Sequence, residues 1–172
     1  MLSLMLLGLL CTFWLASATH KFLYRARFTM TLNEYKWIPN INHRVLVTGL
    51  ILVELGIALL LLFPVSQLFA LALACAALLA YTGLIWLNII AGNRALDCGC
   101  LFSSEEQGLG YVLLWRNGGI LLLHVFAVIT LEPDSHPIDV FTGLLFGGVV
   151  LLLGIISQQL IRNQSHIKAI KR

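Results

Sequence analysis

The sequence predicts an all-α fold, a polytopic helical bundle of about five transmembrane helices forming one integral membrane domain over residues 1–172. Three observations predict it. The chain is 59% hydrophobic and only 11% charged, with a mean hydropathy of +0.92, whereas soluble domains average roughly 45–50% apolar and about 25% charged. Its apolar residues gather into five long runs, each reaching or approaching the ~20 residues that a helix needs to cross ~30 Å of hydrocarbon. No run carries the ten-residue alternation of a barrel strand, so helices, which satisfy their own backbone groups, are the spanning structure. This composition leaves no room for a sizeable water-soluble domain. The clustered Lys and Arg residues report membrane orientation rather than nucleic-acid binding.

The first run covers residues 2–18. Ala16-Ser17-Ala18 has the small-residue character of a signal-peptidase site, but no Lys or Arg precedes the run and several follow it, the reverse of a cleaved signal. A retained helix is expected. Between Lys21 and Arg44, cations mix with Phe22, Tyr24, Phe28 and Leu32, the pattern of an amphipathic segment lying on an anionic leaflet. The second and third runs, 45–63 and 65–91, are separated only by Pro64, which makes a tight helical hairpin. The fourth and fifth runs cover 111–131 and 138–160. Within them Gly118-Gly119 and Gly143-x-x-x-Gly147, followed by Gly148, allow helices to approach closely. Tyr35, Trp37, Tyr111 and Trp115 fall near the expected interfaces, as an aromatic belt does.

With five spans, all the Lys and Arg residues fall on one side, in the first connection, around 94–116 and in the tail. The positive-inside rule then puts the N-terminus outside, and the tail and the 92–110 loop at the cytoplasmic face.

The main chemical clue is Asp97-Cys98-Gly99-Cys100 in that loop, followed by Ser103-Ser104-Glu105-Glu106-Gln107, which reads as a capping box opening the fourth helix. A helix N-terminus favours thiolate, the species that attacks a disulfide, while Asp97 and the two glutamates oppose it. Gly99 supplies the backbone freedom for a small ring, and a disulfide strained in this way is readily exchanged. Cys98 and Cys100 are therefore candidate redox residues. The alternatives are half of a metal site or two unrelated loop cysteines, and no second Cys/His pair at metal-ligand spacing accompanies them, so no metal is assigned.

Glu54 lies near the middle of the second run, where an acid costs about 2.5–3.5 kcal/mol on insertion scales, so it is expected to face the bundle with a partner. Arg116 and His124 on the fourth run are the candidate partners, and Asn88 and Asn117 are candidate interhelical glue. Beside a structural hydrogen bond between helices, Glu54 and Arg116 also fit a proton relay or the lining of a quinone site. Cys11 and Cys75, inside the first and third runs, read as packing residues. An intramembrane thiol pair is the second reading.

Taken together, Tyr35-x-x-x-Pro39, Glu54 followed by Gly56, Asp97-Cys98-Gly99-Cys100 and Arg116-Asn117 resemble the methylamine utilisation protein MauE family, related to DoxX-like redox-associated membrane proteins. Leu101-Phe102 stands where that family usually has Phe-Gly after its second cysteine. The resemblance implies a multi-pass protein of the bacterial inner membrane that acts alongside a thioredoxin-like partner. It also implies a role in processing, transport or maturation of an exported, disulfide-rich client such as the methylamine dehydrogenase small (beta) subunit. A thiol–disulfide relay at Cys98 and Cys100, with Gly99 as the turn and Glu54 and Arg116 in support, is the leading reading. A non-catalytic scaffold and a quinone-coupled thiol oxidase are the others. With clients outside and the cysteines inside, electrons would have to cross the bilayer, which gives Cys11 and Cys75 their second reading.

Overall fold

Where the helices begin and end follows from a few local signals. Asn42 caps the helix that starts at His43, its side chain accepting the Arg44 backbone N–H at 3.1 Å. Pro64, which cannot donate a backbone hydrogen bond, opens a single 3-10 turn over Pro64–Ser66 and starts the next helix from there. The computed structural model describes residues 2–35, 42–92, 111–131 and 137–170. The described residues form α1 (Leu2–Leu23), α2 (Arg25–Glu34), α3 (His43–Leu61), α4 (Gln67–Ile90), α5 (Tyr111–Ile129) and α6 (Pro137–Ile170), with no strand among them.

This is the expected all-α membrane bundle. Ser3–Leu23, His43–Leu61 and Pro64–Ile90 are long and apolar enough to cross a membrane, and two shorter apolar helices occupy Leu113–Ile129 and Phe141–Ser157. The five apolar helices coincide with the five predicted runs, and the Pro64 hairpin forms between α3 and α4. Both ends of the chain differ from expectation. α1 continues past residue 18 to Leu23, and α6 continues past residue 160 to Ile170.

The amphipathic segment after α1 does form a helix, α2, but it packs against α3 with Phe28, Thr31 and Leu32 buried. Tyr35, expected in an interfacial belt, is buried beside it, whereas Tyr111 and Trp115 are exposed as a belt requires. Phe28, Leu32 and Tyr35 join an apolar cluster there with residues of α3, α4 and α5.

Two apolar clusters hold the bundle. One joins α1, α3 and α4 around Trp14, Ile57 and Leu71, with Ala127 of α5. The other joins α2, α3, α4 and α5 around Phe28, Val47, Ile85 and Leu113. Cys11 pairs with Ala58 and Glu54 with Lys21, so α1 and α3 are antiparallel. The Glu54–Tyr81 and Asn117–Thr82 contacts likewise link α3 with α4 and α4 with α5. α6 is different because it runs parallel to α1. Gly143 faces Leu4 and Gly8, and Gly147 faces Gly8 and Thr12.

That contact is close. A Cβ on Gly8 would sit inside the backbone of Gly143, and one on Gly147 would meet Gly8 and the Thr12 hydroxyl. Between lipid-immersed helices there is little hydrophobic drive, so such backbone-to-backbone packing supplies much of the attraction. The expected Gly143-x-x-x-Gly147 stripe is thus used. Gly118, Gly119 and Gly148 are not, since a Cβ at any of them would meet nothing within 4 Å.

Candidate functional site

On α1 the buried positions recur every three or four residues, through Leu7, Leu10, Cys11, Trp14, Ser17, Ala18 and Lys21. Lys21 is therefore carried into the bundle by helical periodicity, although its charge suits an interface. It meets Glu54 of α3. The Lys21 Nζ donates to Glu54 Oε1 at 2.7 Å and to Ser17 Oγ at 2.8 Å, with the two charged side chains 6% and 0% exposed. The Tyr81 hydroxyl of α4 donates to the same Glu54 oxygen at 2.9 Å. The Lys21 ammonium also stands 5.5 Å from the ring centroids of Phe28 and Tyr81, within cation–π range. Along α3 and α4 this polar group lies between the two apolar clusters: Glu54 between Val47 and Ile57, Tyr81 between Leu78 and Ile85.

Glu54 is buried and paired, as its place in the sequence demands, but not with the expected partners. Arg116 reaches Asn117 Oδ1 at 3.5 Å instead, and its Nε is buried with no hydrogen-bond partner in the protein. His124 is taken by α1 and by its own helix. Its Nδ1 lies 2.8 Å from the Ile120 carbonyl, which can only accept, so this nitrogen carries the proton and Nε2 accepts the Trp14 indole N–H at 3.0 Å. Both ring nitrogens are engaged by a neutral imidazole that is 0% exposed, which makes His124 an interhelical strut rather than a ligand.

Asn117 does act between helices, donating to Thr82 of α4 at 3.3 Å. Asn88 donates instead within α4, to the Leu84 carbonyl at 2.9 Å. Cys11 is buried, and its thiol donates to the Ala58 carbonyl at 3.2 Å. Both Cys11 and Cys75 are free thiols. Among the described residues, no three His, Cys, Asp or Glu side chains converge as a metal site would require.

Cys98, Gly99 and Cys100 lie outside the described residues, as do Asp97, the expected capping box at 103–107, and the acidic Glu132-Pro133-Asp134 segment. The two ends that carry the cysteine loop are described. α4 leaves through Ala91 and Gly92, the latter at φ +77°, a conformation glycine adopts without strain, and α5 begins at Tyr111. The helix directions put these two ends beside the start of α3 and the α1–α2 corner.

Sequence reasoning missed Lys21, Ser17 and Tyr81. Extending the α1 stripe of Leu7, Trp14 and Lys21 at seven-residue intervals would have found the lysine.

Fold and interior chemistry together define a helical membrane protein whose core is crossed by an ion pair. The comparisons with known proteins agree on its kind. The family model described as Methylamine utilisation protein MauE matches residues 1–131, and the chain belongs to the MauE family.

Among curated relatives, the methylamine utilization protein MauE of Paracoccus versutus is 30% identical over 147 residues, covering 84% of this chain and 78% of its own. That of Methylorubrum extorquens is 28% identical over 140 residues, covering 80% and 75%. That of Paracoccus denitrificans is 26% identical over 147 residues, again covering 84% and 78%. No solved structure matches the chain.

Proposed function

We propose that this protein is a multi-pass accessory protein of methylamine utilisation in the bacterial inner membrane. Cys98 and Cys100 exchange electrons with a thioredoxin-like partner, and so support maturation of an exported disulfide-rich client such as the methylamine dehydrogenase small subunit. The observation that carries this reading is the Cys98-Gly99-Cys100 spacing in the α4–α5 connection, inside the stretch that the MauE model matches. The helical bundle holds both ends of that connection, Gly92 after α4 and Tyr111 at the start of α5.

The exchange runs through a mixed disulfide. A thiolate of the pair attacks one sulfur of the partner's disulfide, which releases the other partner sulfur as thiolate. The second cysteine of the pair then attacks the mixed disulfide. The partner leaves as a dithiol and a Cys98–Cys100 disulfide remains, so two electrons have moved to the partner. The reverse sequence carries them the other way. Glu54 and Arg116 have the supporting role in this exchange.

Cys98→Ser and Cys100→Ser are each expected to abolish client disulfide formation while the protein stays in the membrane at normal levels. The variant that keeps the attacking cysteine traps a mixed disulfide visible on a non-reducing gel. Normal client disulfides in both variants would leave only a scaffold role.

A further inference from the structure

We propose that a file of internal waters enters the bundle at the end bearing the α4–α5 loop and ends on Glu54 Oε2. Three buried side-chain atoms on three different helices carry this. Asn88 Oδ1, Arg116 Nε and Glu54 Oε2 have no hydrogen-bond partner in the protein, and Asn88 and Glu54 are both 0% exposed. Buried polar atoms are almost always satisfied, and one left bare costs about 1–3 kcal/mol, more when charged.

The three are graded in depth. At 1.5 Å per residue, Asn88 lies ~3 Å from the end of α4, Arg116 ~8 Å from the start of α5, and Glu54 ~16 Å from the start of α3. All three ends are at the loop side of the bundle. Asn117 and Thr82, hydrogen-bonded across α4 and α5, supply polar groups at the intermediate levels.

The chemistry of these atoms selects the ligand. Two of them accept and one donates, so each molecule in the file must do both. Lys21 and Arg116 repel a cation there, and Glu54 repels an anion. Held as a carboxylate by Lys21, Glu54 leaves Oε2 as a bare acceptor. Water both donates and accepts, and typically makes about three hydrogen bonds in such sites. This path is independent of the dithiol reading and connects Glu54 to solvent at the loop face.

The test uses the full chain in lipid nanodiscs, with Cys11 and Cys75 replaced by Ala and Cys98 and Cys100 by Ser, so loss of the dithiol cannot affect it. Single cysteines are returned at Asn88, Thr82, Leu78 and Leu79. Leu78 is buried in the apolar cluster and Leu79 is exposed on the outer face of α4. With a small neutral hydrophilic methanethiosulfonate, Asn88→Cys and Thr82→Cys are expected to react about 100-fold faster than Leu78→Cys and Leu79→Cys, because a thiol in dry apolar surroundings is inert. Asn88→Cys should be the faster of the two. Equal rates at Thr82→Cys and Leu79→Cys overturn the proposal.

Discussion

An ammonium and a carboxylate held between apolar clusters of a lipid-embedded bundle are stable only as a pair. Taking either from water costs several kcal/mol, and the return comes from a short contact in a low-dielectric interior and from hydrogen bonds to Ser17 and Tyr81. Lys21→Met is accordingly expected to destabilise the protein by about 3–5 kcal/mol, because it strands the Glu54 charge. Lys21→Met combined with Glu54→Leu should recover most of that loss. Thermal unfolding of the four proteins in detergent gives the coupling directly, and a double variant no more stable than Lys21→Met would deny the pair its role.

At this scale the sequence was half readable. A mid-run carboxylate demands a partner, so the burial of Glu54 could be foreseen. Its partner could not be foreseen from charge, because a lysine three residues beyond an apolar run has the composition of an interface residue. Only the stripe through Leu7, Trp14 and Lys21 discloses that α1 carries it inward. His124 was expected to partner Glu54, and its actual partner, Trp14, was not foreseen.

Among the elements, α1 and α6 show how little a small-residue pattern says about its partner. Gly118-Gly119 and Gly143-x-x-x-Gly147 look equally suited to close packing, yet the first pair meets nothing and the second rests on Gly8. The difference lies in which helix arrives opposite, a tertiary fact that a linear pattern does not contain.

Gly8→Leu should force α1 and α6 apart and cost about 1–3 kcal/mol, the usual range for overpacking. Gly118→Leu, by contrast, should be nearly neutral. Equal melting temperatures for the two variants would contradict the contact. α2 teaches a related point: its alternation of cations and apolar residues was visible, but an amphipathic helix suits a leaflet and a bundle end equally. The choice was made by the apolar faces of α3, α4 and α5 offered to Phe28 and Leu32.

For the molecule as a whole, the five apolar runs and their Pro64 hairpin were legible because bilayer thickness sets their length. The extensions of α1 and α6 were not, since a helix stabilised by packing or by its own hydrogen bonds need not stop where hydrophobicity does. The antiparallel succession from α1 to α5, with α6 parallel to α1, is the arrangement that five crossings produce. That topology predicts that reporters fused after Phe63 and after Leu131 report the face opposite to reporters fused after Glu34 and at the C-terminus. An impermeant thiol reagent on intact cells should leave Cys98 and Cys100 unlabelled if the cation count sets orientation. Like signals from all four fusions would refute the five-crossing arrangement.

The glycine seam between α1 and α6 also bears on how the chain is made. α1 is synthesised before α6, so it meets its tightest neighbour only once α6 has followed. At ~5–20 residues per second, the ~135 residues between Gly8 and Gly143 impose a wait on the order of ten seconds. During that interval the bare flank of α1 is open to lipid or to an insertase. Among the described residues, that seam is therefore the last of the helix contacts to form.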